Sequence, residues 1–226
     1  MSTFIRSGLR DAVFGTQDGL VSTLGVLTGI AEGTQSGEVV VIAGFVIIAV
    51  ESLSMAGGSY LSTKSQRAYL ERLLREEEEA IAKDPEGERQ ELWAMYQARG
   101  YSNEEIAIVV NRLLSDKRLL LEDMAHKELG ICPATLDEPM SNALVMGIAY
   151  VMGGLIPVLP YLAFPVHTAL PISIGSTLLA LFVFGGLKGH VVGQGWWRSG
   201  LEMLSIASLA VLAGFAIGHV TRLWVG

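Results

Sequence analysis

The sequence predicts an all-α, polytopic membrane protein carrying a helical bundle inserted between its second and third spans. Three observations lead there. Between Lys64 and Glu128 lie 15 of the 23 acidic and 11 of the 16 basic residues, while the flanking regions run for about 20 residues at a time almost without charge, the length that crosses a hydrocarbon core. Apolar segments of that length recur five times, at about 11–31, 39–63, 141–161, 169–187 and 199–222. The second of them continues into KSQRAYLERLLREEEEAIAK with no Pro or Gly before Pro85, so one helix is expected to leave the bilayer and project about 25 Å into water at 1.5 Å per residue.

These boundaries divide the chain into residues 1–64 with the first two spans, 65–132 as the soluble bundle, 133–140 as a linker, and 141–226 with spans three to five. The first span holds Gln17 and Asp18 and lacks a short apolar core with a small-residue cleavage site, so it reads as a retained span rather than a signal peptide. Lys and Arg set the orientation. Arg6 and Arg10 precede the first span, Lys64, Arg67, Arg72 and Arg75 follow the second, and Lys188 and Arg198 separate the fourth from the fifth. The N-terminus and the bundle are therefore expected in the cytoplasm and the C-terminus on the opposite side, with Arg222 the exception to the charge rule.

Within the insertion, a helix is expected from Pro85 to Arg99, closed by Gly100 in a left-handed turn. A second starts at Ser102, where Ser102 and Glu105 have capping-box spacing, and buries Ile106, Val109, Val110 and Leu113. A third runs from about Asp116 to Leu129 and stops at Gly130. Short connections between them imply a compact bundle.

The net charge of −7 disfavours nucleic acid and suits cations. One cysteine, Cys132, rules out an intramolecular disulfide and reads as a small linker residue. No G-x-x-x-x-G-K-[ST], nucleophile elbow or metal-ligating His cluster occurs, which disfavours ATP-driven pumping and hydrolysis.

Polar groups inside the apolar segments are the candidates for function. Asp18 shares a helical face with Ser22, Gly25 and Gly29, a face of small residues suited to close packing, where an intramembrane carboxylate is tolerable and a pathway can run. A local cap or kink partner is the plainer reading of Asp18. In the second span Glu51, Met55 and Ser59 repeat every four residues; a thioether one turn from a carboxylate favours later transition metals over Mg²⁺ or Ca²⁺, although a hydrogen-bonded Glu beside a filler Met fits too. In the bundle, Glu76 with Glu79 and Glu88 with Glu91 are paired at i,i+3, and Met124 with Glu128 at i,i+4. From spacing alone a solvated acidic face explains these pairs best. Asp123 and His126 form a DxxH, short of the ExxH of di-iron bundles.

The stretches DGLVSTLGVLTG, SMAGGSYLSTKSQR, GERQELWAMYQARG, MAHKELGI, AYVMGGLIPVLPY and FGGLKGH together resemble the vacuolar iron transporter family of ferrous-iron and proton antiporters. The resemblance covers nearly the whole chain. It implies a homodimer with the pathway along the subunit interface, and a cytoplasmic metal-binding domain. By it, Asp18 and Met55 line the pathway, while Glu76, Glu79, Glu88, Glu91, Met124 and Glu128 hold metal. A gap-free register would select Glu77 and Ala80 in place of the first pair. The family's glutamate after Met-Ala is Ser59 here, and Glu51, two turns earlier, is the candidate to replace it.

The expected function is export of Fe²⁺, with Mn²⁺, Co²⁺, Ni²⁺ and Zn²⁺ as further candidates, from the cytoplasm across a plasma, inner or vacuole-type membrane in exchange for protons. The chain is expected to be no enzyme and to need no cofactor beyond the ion it carries. A membrane-anchored di-iron ferroxidase and a membrane metal sensor are the alternatives. The expected dimer packs its first spans across the two-fold through the Gly25 and Gly29 face.

Overall fold

A computed structural model describes residues 3–127, 130 and 136–225. The described chain is all α-helix: α1 Thr3–Thr34, α2 Gly37–Lys83, α3 Pro85–Ala98, α4 Asn103–Leu114, α5 Lys117–Lys127, α6 Pro139–Ala163, α7 Val166–Val191 and α8 Trp196–Val225. Two compact units emerge, one formed mainly by Ser62–Glu138 and the other by Ile5–Leu61 with Pro139–Gly226. The 47 residues of α2 run unbroken across the change from apolar to charged sequence.

Among the described residues, α2, α6, α7 and α8 are long and apolar enough to cross a membrane. Helix α1 has the length, at 32 residues, but is not one of these four. Gln17, Asp18 and the threonines at 16, 23 and 28 dilute its apolar character. The shown architecture is thus a multi-pass, all-α membrane protein.

In the larger unit, Leu20, Leu24, Leu27 and Ala31 of α1 repeat at three- and four-residue intervals, and all are buried. Glycines on the remaining faces of α1 let two neighbours come close. A Cβ at Gly15 would lie 2.5 Å from the Met146 carbonyl oxygen of α6, and one at Gly29 would lie 2.8 Å from the Gly214 carbonyl oxygen of α8. The Gly25, Gly29 and Gly33 stripe therefore packs on Ala210, Gly214 and Gly218 of the same chain. Helix α8 of the same chain thus covers part of the face that carries Gly25 and Gly29, while Ser22, Gly25 and Gly29 also line a groove that stays open along it. Helix α6 holds Pro157 and Pro160, and Ser173 of α7 donates to the Pro157 carbonyl at 2.7 Å. Proline in a spanning helix is tolerable where a neighbour supplies polar contacts of this kind.

The smaller unit forms around Leu92, Tyr96, Ile106, Val110, Leu120 and Met124. Its helix ends follow local chemistry. Asp84 accepts from the Gly87 amide at the start of α3, with Pro85 in the first turn. Gly100 takes φ +87°, the left-handed turn that glycine allows. Ser102 and Glu105 make both hydrogen bonds of a capping box at the start of α4.

Candidate metal pathway and metal-binding helices

The polar groups of the larger unit gather where α1, α2 and α6 meet. Asp11 is 1% exposed, accepts from Arg10 Nε at 3.2 Å, and accepts from the hydroxyl of Ser59 at 3.4 Å. That contact sets the antiparallel register of the two helices. Asp18 lies seven residues beyond Asp11, two turns or about 10 Å along α1, on the same face. Glu51 lies eight residues before Ser59 on α2, so the two carboxylates fall at the same level, close enough to interact electrostatically. Met55, half-buried, stands one turn from each of Glu51 and Ser59.

Asp18 is half-buried, whereas Glu51 is exposed on the apolar part of α2. Tyr150 of α6 completes the group. It is fully buried, and its hydroxyl lies 2.7 Å from Ser22 Oγ. Ser22 itself donates to the Asp18 carbonyl at 2.7 Å. Since that bond uses the serine proton, Tyr150 is the donor to Ser22. The Tyr150 hydroxyl also lies in the field of both Asp18 and Glu51. The pattern singled out Asp18, Glu51 and Met55 but passed over Asp11 and Tyr150. Asp11 was detectable from its seven-residue spacing to Asp18; nothing in the local pattern of α6 marks Tyr150.

In the smaller unit the acidic residues divide between surface and interior. Glu76 and Glu79 are exposed and form i,i+4 ion pairs with Arg72 at 2.8 Å and Lys83 at 3.2 Å. Glu77, between them, is 7% exposed. On α3, Glu88 is half-buried on the face that carries Leu92, while Glu91 is exposed. Met124 is fully buried in the core. Asp123 accepts from Tyr96 Oη at 3.2 Å and from Lys127 Nζ at 2.5 Å, and Lys127 lies 3.5 Å over the Tyr96 ring, so Asp123 is committed to structure. His126 is exposed. Glu128 and Cys132 lie outside the described residues. Among the described residues, no three His, Cys, Asp or Glu side chains stand together as a metal cage. What the unit does offer is a buried Glu77 and a half-buried Glu88, with Met124 buried in its core.

Comparison with known proteins decides the family. A profile of the VIT family matches residues 9–219. The chain belongs to the VIT family. It is 34% identical to vacuolar iron transporter 1 of Arabidopsis thaliana over 95% of this chain and 86% of the relative. Vacuolar iron transporter 2 of Oryza sativa subsp. japonica is 33% identical over 95% and 87%, and the vacuolar iron transporter of Plasmodium falciparum 25% identical over 96% and 83%. This VIT-family chain is accordingly a transporter and no enzyme, which sets the ferroxidase alternative aside.

Proposed function

We propose that this VIT-family protein exports Fe²⁺, and related divalent ions such as Mn²⁺, Co²⁺, Ni²⁺ and Zn²⁺, from the cytoplasm in exchange for protons. The observation that carries the reading is the pair Asp18 and Glu51, two carboxylates on spanning segments, near enough to feel each other's charge and flanked by Met55. Carboxylates inside a membrane are costly unless they serve an ion. Here α1 acts as the fifth span beside the four apolar helices, with the N-terminus and the soluble bundle cytoplasmic.

The chemistry of exchange follows from the ligands. A carboxylate must lose its proton to ligate metal, so protonation from the far side and metal release act on one group. Exporting a doubly charged ion against 100 mV, inside negative, costs about 4.6 kcal/mol at about 2.3 kcal/mol per charge. Exchange for two protons is electroneutral and removes that cost. In the soluble helices, Glu77, Glu88 and Met124, together with Glu91 and Glu128, form the metal-holding set that captures cytoplasmic ions; Glu76 and Glu79 are the alternative to Glu77.

The protein acts as a homodimer. Glu51 is exposed in the single chain on an apolar helix, and a second copy over that face shields it from lipid. Reconstitution into vesicles loaded with a metal-sensitive dye tests the whole reading: metal influx must follow an imposed proton gradient and vanish in Asp18→Asn.

A further inference from the structure

We propose that Tyr150 is a positioning residue for the transported ion: through Ser22 it holds Asp18 in the geometry that ligates a divalent metal. This rests on the export reading above, in which Asp18 takes the ion.

Helix α6 is apolar where it passes the two carboxylates. From Ala149 to Ile156 it carries alanine, valine, methionine, glycine, leucine and isoleucine, with Tyr150 as the one side chain that can form a strong hydrogen bond. Tyr150 is fully buried, so its hydroxyl is taken out of water and needs a partner on a neighbouring helix. The backbones of α1 and α6 meet at this level. A Cβ at Gly19 would run into the Tyr150 carbonyl oxygen, and one at Gly153 would lie 2.5 Å from the Thr16 carbonyl oxygen. Across that close seam the phenol reaches Ser22 Oγ at 2.7 Å.

Ser22 links the phenol to Asp18. Its hydroxyl gives its one proton to the Asp18 carbonyl at 2.7 Å and takes the proton of Tyr150. A serine bonded back to the carbonyl four residues before it bends a helix locally, so the rotamer of Ser22 sets the path of α1 at Asp18. Tyr150 fixes that rotamer from another helix. The phenol oxygen also neighbours the hydroxyl of Thr23, fully buried, and lies in the field of both Asp18 and Glu51, so it stands beside the group it steadies. Because its proton is committed to Ser22, Tyr150 acts through Asp18 rather than on the ion. Supporting groups of this kind hold a ligand to within about 0.5 Å of its working position, and loss of one costs about 10–100-fold in metal affinity.

The experiment is metal protection of Asp18 in the full-length protein. The protein in detergent is treated with a hydrophobic carbodiimide, which labels carboxyl groups inside the membrane, over a range of Co²⁺ concentrations, and labelling at Asp18 is measured by peptide mass spectrometry. Co²⁺ is expected to protect Asp18. Tyr150→Phe, which keeps the ring, should raise the Co²⁺ concentration for half-protection by about tenfold, as should Ser22→Ala. The double variant should be no worse than the more affected single one, since the two residues act in one chain. A half-protecting concentration unchanged in Tyr150→Phe, even with a lowered unfolding temperature, would reduce Tyr150 to packing and overturn the proposal, and so would effects of the two substitutions that multiply. Labelling of wild-type Asp18 that ignores Co²⁺ would remove the ion from Asp18 and the proposal with it. Co²⁺ flux into vesicles, measured on the wild-type preparation, reports separately on export, so failure of the positioning role and failure of the transport reading are told apart.

Discussion

Ser59 donates its hydroxyl to the buried carboxylate of Asp11 at 3.4 Å, and this one contact places Glu51 of α2 level with Asp18 of α1. Asp11 thus stands two turns toward the N-terminus from Asp18 on the same helical face. In the proposed transporter it is the first carboxylate an ion meets inside the membrane. Asp11→Asn keeps shape and hydrogen-bond acceptance, so unfolding temperature should change little while metal flux falls at least tenfold. Ser59→Ala, which removes a single neutral donor, should cost about 1 kcal/mol of stability and leave most of the flux. Paired thermal unfolding and vesicle flux measurements check both.

The seams of α1 allow a contrast between glycines. At Gly15 an added methyl meets the α6 backbone at 2.5 Å, whereas at Gly175 of α7 nothing lies within 4 Å. Gly15→Ala should destabilise by about 1–3 kcal/mol through forced separation of two helices. Gly175→Ala should be neutral or stabilise by up to about 1 kcal/mol through helix propensity. Unfolding midpoints in detergent distinguish them.

Metal capture by the soluble helices should depend on phase around α2. Glu77→Ala and Glu88→Ala are expected each to weaken Co²⁺ binding by about tenfold, the loss of one charged ligand amounting to 1.4 kcal/mol or more. Glu76→Ala and Glu79→Ala, which remove only exposed ion pairs, should leave it within about twofold. Calorimetric titration of the full chain carrying Asp18→Asn isolates these sites.

The capping box of α4 carries a pH signature. The backbone amide of Ser102, and then its side chain, hold the Glu105 carboxyl below the usual carboxylate range. A depressed folded value means the contribution is present above the unfolded carboxylate value and is lost as pH falls through the folded one. Hydrogen exchange of the first-turn amides of α4 should therefore speed up on acidification. In Glu105→Gln that acid dependence should be absent.

Helical period alone assigned Asp18, Gly25 and Gly29 to packing faces, because 3.6 residues per turn fixes which residues share a side. It does not name the neighbour. Residues nearly 190 positions away on α8 meet the Gly25 stripe, a neighbour that no local pattern names. The four glutamates from Glu76 to Glu79 present one on every face, so their order holds no phase information. Phase is set by packing with distant residues: Ile81 lies against the core of Leu92 and Ile106, and Glu77, one turn earlier on the same face, is buried. The capping box and Gly100 were legible because their chemistry is local to a few residues. Tyr150 was not, since its partner Ser22 lies 128 residues away.

The central claim is that Asp18 exchanges metal for protons, and flux at clamped voltage tests it most directly. Purified protein in vesicles is given a divalent ion outside and an acid or a neutral interior, with the membrane potential held at zero. The account predicts fast influx into acid-loaded vesicles, slow influx without the proton gradient, and none with Asp18→Asn even though the soluble helices still bind metal. Influx of equal rate with and without the proton gradient would contradict it and point to a channel-like path.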